Sequence, residues 1–161
     1  MTKTFMEAEI SIGTLVAHIT DSGLAPHEVQ PDGIWIRSPQ GLGFRISIIA
    51  ERKFVQFRTY LPLRRGASVE DKRELARLLN ENVFLPTFAI DQDEDLAITY
   101  LMPYMAGLIA GNFIAIVHRF GSMLEYVVQT FGDGLIDFGS SATGAAVAGE
   151  ESGLVPCELL H

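Results

Sequence analysis

Residues 33–61 read GIWIRSPQGLGFRISIIAERKFVQFRTYL, and this stretch decides the fold. It holds three short runs rich in β-branched and aromatic residues, at 33–38, 44–50 and 54–61. Pro39-Gln40-Gly41 separates the first two and is a strong turn signal, and Glu51-Arg52-Lys53 separates the second pair. In the middle run Phe44, Ile46 and Ile48 alternate onto one face, as a half-buried strand requires. An antiparallel meander is predicted.

Working outward, the residues before the meander fit a helix over 5–21. Met6, Ile10, Leu15, Val16 and Ile19 recur near helical spacing, and Gly23 supplies a stop. A loop with Pro26 and Pro31 connects the two. After the meander, a second helix starts at Ser68. Ser68-Val69-Glu70-Asp71 resembles a capping box with Asp in the third position, and Leu75, Leu78, Leu79 and Val83 form an apolar stripe. Two further strands are predicted at 87–90 and 96–102, joined by Asp91-Gln92-Asp93-Glu94-Asp95. The last helix is expected over 105–131. Its polar residues Asn112, Arg119, Ser122, Tyr126 and Gln129 fall on one narrow line, and the rest is apolar. The order α-β-β-β-α-β-β-α predicts an α+β fold, a five-stranded antiparallel sheet with helices packed on one face. One domain is expected over 1–131, followed at 132–161 by a flexible, acidic tail rich in Gly, Ala and Ser, with apolar Leu154, Val155, Leu159 and Leu160 near its end.

Certain of these residues carry a family resemblance. They are Leu78-Leu79-Asn80 in the second helix, Phe88-Ala89-Ile90-Asp91, the acidic turn, and Leu96-Ala97-Ile98 opening the next strand. With the early helix ending at Gly23 and the meander, the pattern over roughly 5–131 resembles the YbjN-type family of bacterial sensory transduction regulators. Such proteins have a fold like that of type III secretion chaperones. Two departures are visible: the acidic turn lacks the glycine common in such proteins, and the tail has no counterpart. The resemblance implies a role in binding another protein or regulating a response, and it offers no catalytic residues to carry over.

Composition sets further bounds. The chain has 161 residues, 48% hydrophobic and 20% charged, enough for a core without disulfides or metals. A single cysteine, Cys157, excludes an internal disulfide and favours a reducing cytoplasm. The opening MTKTFMEAEI reads as neither a secretory signal nor a transit peptide. The net charge of −8 is uneven: Asp133, Asp137, Glu150, Glu151 and Glu158 lie beyond residue 131, and all twelve basic residues lie before it. Nucleic acid is therefore not an expected partner.

Candidate motifs dissolve under their own chemistry. An EF-hand loop starting at Asp91 needs glycine at its sixth position and a carboxylate at its twelfth, where this chain has Leu96 and Met102. A solvated hairpin turn is expected instead. The glycines of Gly139-Ser140-Ser141-Ala142-Thr143-Gly144 have phosphate-loop spacing, but Ala145 stands where the lysine should be. Gly41-Leu42-Gly43 precedes a strand, not the helix of a dinucleotide loop. His18, His27, His118 and His161 show no metal-ligand spacing. Cys157 has no activating neighbour. No catalytic, metal or cofactor-binding residue is assigned, and the protein-binding residues are left open. Arg52, Lys53, Arg58, Arg64 and Arg65 read first as a charged sheet rim, and second as a dock for an acidic partner or for the chain's own tail.

The 23 residues of 96–118 carry no charge, long enough to cross a bilayer. Pro103 divides them, however, and the helical period continues through Arg119 and Glu125 to Phe131, which argues against a membrane span. The apolar arc of the last helix is wider than one sheet face needs, so a homodimer through it is expected. The functional expectation is a non-enzymatic, cytoplasmic protein-binding module, chaperone-like or regulatory. The alternatives are a small-molecule-binding or enzymatic domain, and a membrane-associated protein through 96–118.

Overall fold

The computed structural model describes residues 2–132 and 134–137. The loop at 139–144, Cys157, His161 and nearly all of the expected tail lie outside the described residues.

Thirteen segments follow in order. A short strand β1 (Thr4–Phe5) and a 3-10 turn (Glu7–Glu9) lead into helix α1 (Ile12–Asp21). Strands β2 (Glu28–Gln30), β3 (Gly33–Arg37) and β4 (Gly43–Ile49) come next. A 3-10 turn (Ala50–Arg52), strand β5 (Phe54–Leu61) and helix α2 (Val69–Asn82) follow. The described elements close with β6 (Thr87–Ile90), β7 (Leu96–Pro103), β8 (Leu108–Ile109) and α3 (Ala110–Phe131).

The main sheet has six antiparallel strands in the order β2-β3-β4-β5-β7-β6. The meander is present as predicted. The sheet count differs from the expected five because Glu28–Gln30 pairs with β3 around Pro31-Asp32. All three β2 side chains are exposed, so this strand has no core-facing alternation to betray it. A separate two-stranded pair joins β1 to β8, and the Ala110 amide donates to the Lys3 carbonyl at 3.0 Å.

That pair displaces the ends of both terminal helices from their expected positions. Phe5 is drawn into a strand and buried, and α1 starts at Ile12, where the Ser11 hydroxyl accepts from the Thr14 amide at 3.1 Å. The last helix starts at Ala110, not Met105, because residues 104–107 turn back on themselves. Gly107 sits at φ 92° and donates to the Tyr104 carbonyl at 2.9 Å. Helix α2 starts as expected, with the Ser68 hydroxyl accepting from the Asp71 amide at 3.1 Å.

The three helices cover one face of the sheet. Ile34, Phe44, Ile46, Val55, Phe57 and Ile98 project from the strands into the core. Phe120 of α3 meets Phe44 and Phe57 at ring-centroid separations of 5.0 and 5.8 Å, and Phe113 meets Phe57 at 5.9 Å. Helix α3 buries Phe113, Val117, Phe120, Leu124 and Val127, so its apolar arc packs largely within the chain. The uncharged stretch 96–118 divides into β7, a turn, β8 and the opening turns of α3. Among the described residues no helix is long and apolar enough to cross a membrane. Beyond α3 the chain returns to the end of β5: Leu63 bridges Ile136, and the Asp137 amide donates to the Pro62 carbonyl at 2.9 Å.

Candidate functional site

Among the described residues no helix covers the opposite face of the sheet. Strand alternation sends Trp35 and Arg37, Arg45 and Ser47, Gln56, Arg58 and Tyr60 to this side. A basin of about 490 Å³ lies here, lined among others by Trp35, Arg45, Ser47, Gln56, Arg58 and Tyr60. Its residue types are those that anchor protein interfaces, Trp, Tyr and Arg above all.

Register fixes the electrostatics. Arg45 stands directly opposite Arg58, and Trp35 directly opposite Arg45. Two arginines facing each other across a ladder repel. Arg45 answers with Asp32, whose carboxylate lies 2.5 Å from its terminal nitrogen, and it also donates to the Asp32 carbonyl at 3.2 Å. The hydrogen bond from Arg45 holds the Asp32 carboxyl below its ordinary value. Gly33 makes room for this side chain, since a Cβ there would stand 2.4 Å from Arg45 Nε. That Nε is buried and has no hydrogen-bond partner among the described residues. Arg58 is exposed, and no described carboxylate pairs with it. Its guanidinium lies 4.9 Å from the centre of the Tyr60 ring, a cation–π contact. Arg37 adds a third positive charge to the same face, against Glu28 on the outermost strand.

A second hollow of about 390 Å³ lies between α2 and the chain after α3. Leu75, Leu78, Phe131 and Leu135 line it, and Asp71 and Glu74 give it an acidic rim. Close to the end of α2, Phe84 is 89% exposed, and Leu85 after it sits at φ 113°.

The basic residues singled out by sequence do not form one patch. Lys53 pairs with Glu7 at 3.0 Å, and Arg65 bonds the Asp93 carbonyl at 2.7 Å with Asp95 at 3.7 Å. Arg52 lies exposed in the 3-10 turn after β4. Only Arg58 belongs to the basin, beside Arg45, which sequence reasoning passed over because cross-strand register is not written in spacing. The acidic hairpin turn is present but is tied inward. Asp91 Oδ1 accepts from the amides of Asp93 and Asp95, both at 2.9 Å, and Glu94 holds the buried Lys72 ammonium at 2.7 Å. Of the histidines, His18 is half-buried: its Nε2 lies 3.0 Å from the Ala110 carbonyl, and its ring packs edge-on against Phe5. His27 and His118 are exposed. Among the described residues no group of His, Cys, Asp or Glu is arranged to hold a metal.

The architecture is an α+β fold of the kind seen in type III secretion chaperones. The pattern of the YbjN family, described as "putative bacterial sensory transduction regulator", matches residues 11–133, and the chain belongs to that family. The crystal structure of YbjN from E. coli is similar over 82% of this chain and 98% of its own, with a TM-score of 0.66 and 16% identity. A chain of the ExsC–ExsE complex aligns over 77% of this chain and 92% of its own, with a TM-score of 0.52 and 16% identity. A chain of the HopA1–SchA chaperone–effector complex aligns over 70% and 85%, with a TM-score of 0.50 and 12% identity. At these identities the likeness is one of fold. No curated protein sequence matches the chain.

Proposed function

We propose that this chain is a non-enzymatic protein-binding module, chaperone-like or regulatory, that takes an extended segment of its partner on the helix-free sheet face. The observation that carries this reading is the basin in which Trp35, Arg45, Arg58 and Tyr60 converge with no helix above them. Guanidinium groups offer planar, paired donors to carboxylates, and the aromatic rings offer apolar area at small entropic cost. The chaperone–effector complex among the similar folds supports a protein as the occupant. The cytoplasm is the compartment assigned to this activity, consistent with the single cysteine.

The test is affinity capture from native lysate with the wild-type chain, with Trp35→Ala and Arg58→Glu, and with Arg73→Glu on the far side of the molecule as control. A partner kept by wild type and control but lost by both basin variants is the expected result. A partner held equally by all four chains removes the basin from the reading. Capture of nothing shifts weight to a small molecule, since the basin's volume falls in the range of ligand sites.

Self-association belongs to the same reading. Tyr126, 52% exposed on the outer side of α3, is the apolar contact left for a second copy. Sedimentation showing only monomer at micromolar concentration removes the dimer and leaves the basin untouched.

A further inference from the structure

We propose that the acidic segment 138–161 of this same chain docks on the helix-free sheet face, its carboxylates on Arg58 and its neighbours. The inference rests on the reading of that face as a peptide-binding surface, and it supplies the resident occupant.

Four observations converge. First, of the opposed pair Arg45 and Arg58, Arg45 is already paired with Asp32, whereas Arg58 has an aromatic ring but no described carboxylate beside it. An anion placed there supplies the missing counter-charge. Second, the segment has the matching chemistry: Glu150, Glu151 and Glu158 with no Lys or Arg, and Leu154, Val155, Leu159 and Leu160 for the aromatic floor. Third, the path is short. The Asp137 amide bonds the Pro62 carbonyl, two residues past Tyr60 at the basin's rim. Glu150 lies thirteen positions beyond Asp137, a reach of up to about 45 Å when extended, several times the spacing of neighbouring strands. Fourth, the competing hollow beside α2 is rimmed by Asp71 and by Glu74, the latter already held by Arg77, and no Lys or Arg is among the residues that line it to receive the segment's carboxylates. Tethering raises the local concentration of such a segment into the millimolar range, so even weak contacts suffice to hold it. A partner segment of higher affinity then displaces it, which makes the arm a competitor at the binding face.

Cys157 is the only cysteine, so a nitroxide attaches at one point of the arm without mutation. Amide signals of the full-length labelled chain are then read for paramagnetic broadening. The expected result is broadening concentrated on β3, β4 and β5 and on the Trp35 indole, lost at raised salt, lost with Arg58→Glu, and regained when Arg58→Glu is combined with Glu150→Lys and Glu151→Lys. Broadening confined to the residues around Asp137, or a sheet pattern indifferent to Arg58→Glu, overturns the proposal. So does broadening that appears when labelled and observed chains are separate molecules, since the occupant is then a second copy. If the arm fails to dock while capture still depends on Trp35, the docking falls and the protein-binding function stands. If the arm docks and the basin variants capture unchanged, the reverse holds.

Discussion

Lys72 is wholly buried in α2, and its ammonium meets the partly exposed Glu94 at 2.7 Å. Removing one member of such a pair costs more than replacing the buried charge by an apolar chain of similar size. Glu94→Gln is therefore expected to lower Tm, whereas Lys72→Met leaves it level or raises it. Equal losses in both variants would refute this account. The bond from Lys72 lowers the Glu94 carboxyl below its ordinary value. The unfolded chain thus binds more protons at acid pH, and the stability from this pair is complete above about pH 4.3 and fades as pH falls through the folded value. Acid titration of wild type against Lys72→Met reads that difference. Glu94 also occupies φ 62°, the left-handed turn position that a glycine fills without strain. Two glycines separate cleanly. A Cβ at Gly121 would meet Ser38 and Phe44 at 3.5 and 3.8 Å, ordinary contacts, so Gly121→Ala should stabilise α3 by about 0.5–1 kcal/mol. Gly107→Ala should cost more than about 1 kcal/mol, because φ is 92° and the Cβ would stand 2.8 Å from the Phe5 carbonyl oxygen. Chemical denaturation checks both.

At the scale of elements, β6 is the outer strand beside α2, yet its edge is not bare. The Asn80 side chain donates to the Phe88 carbonyl and accepts from the Phe88 amide, both at 2.9 Å, as a neighbouring strand would. Asn80→Leu leaves both Phe88 groups without that partner and should cost about 1–3 kcal/mol, read by urea unfolding. The meander was legible because its buried residues repeat with period two, and α2 because its cap and stripe are both local. The β1–β8 pair was not legible: each strand has two residues, and their partners lie more than a hundred positions apart. The same pairing is what moved the starts of α1 and α3. The basin was half legible. Arg58 was named in sequence, but its opposition to Arg45 and the close approach of Gly33 exist only once the strands are in register.

Across the whole molecule, charge and topology follow different plans. Nearly neutral up to residue 131, the chain carries its excess of acid beyond that point. The sheet, by contrast, is organised around β5, which pairs on one side with β4, its neighbour in sequence, and on the other with β7, which follows 34 residues later. Closing that longer loop must precede any gain from the β5–β7 ladder, whereas β3, β4 and β5 join through short turns. The central ladder is thus a seam between an early unit and a late one. In native-state hydrogen exchange, amides of β6 and β7 are expected to open together at a lower free energy than those shared by β4 and β5. The strand at the middle of the sheet would then record, on its two edges, the order in which the molecule is assembled.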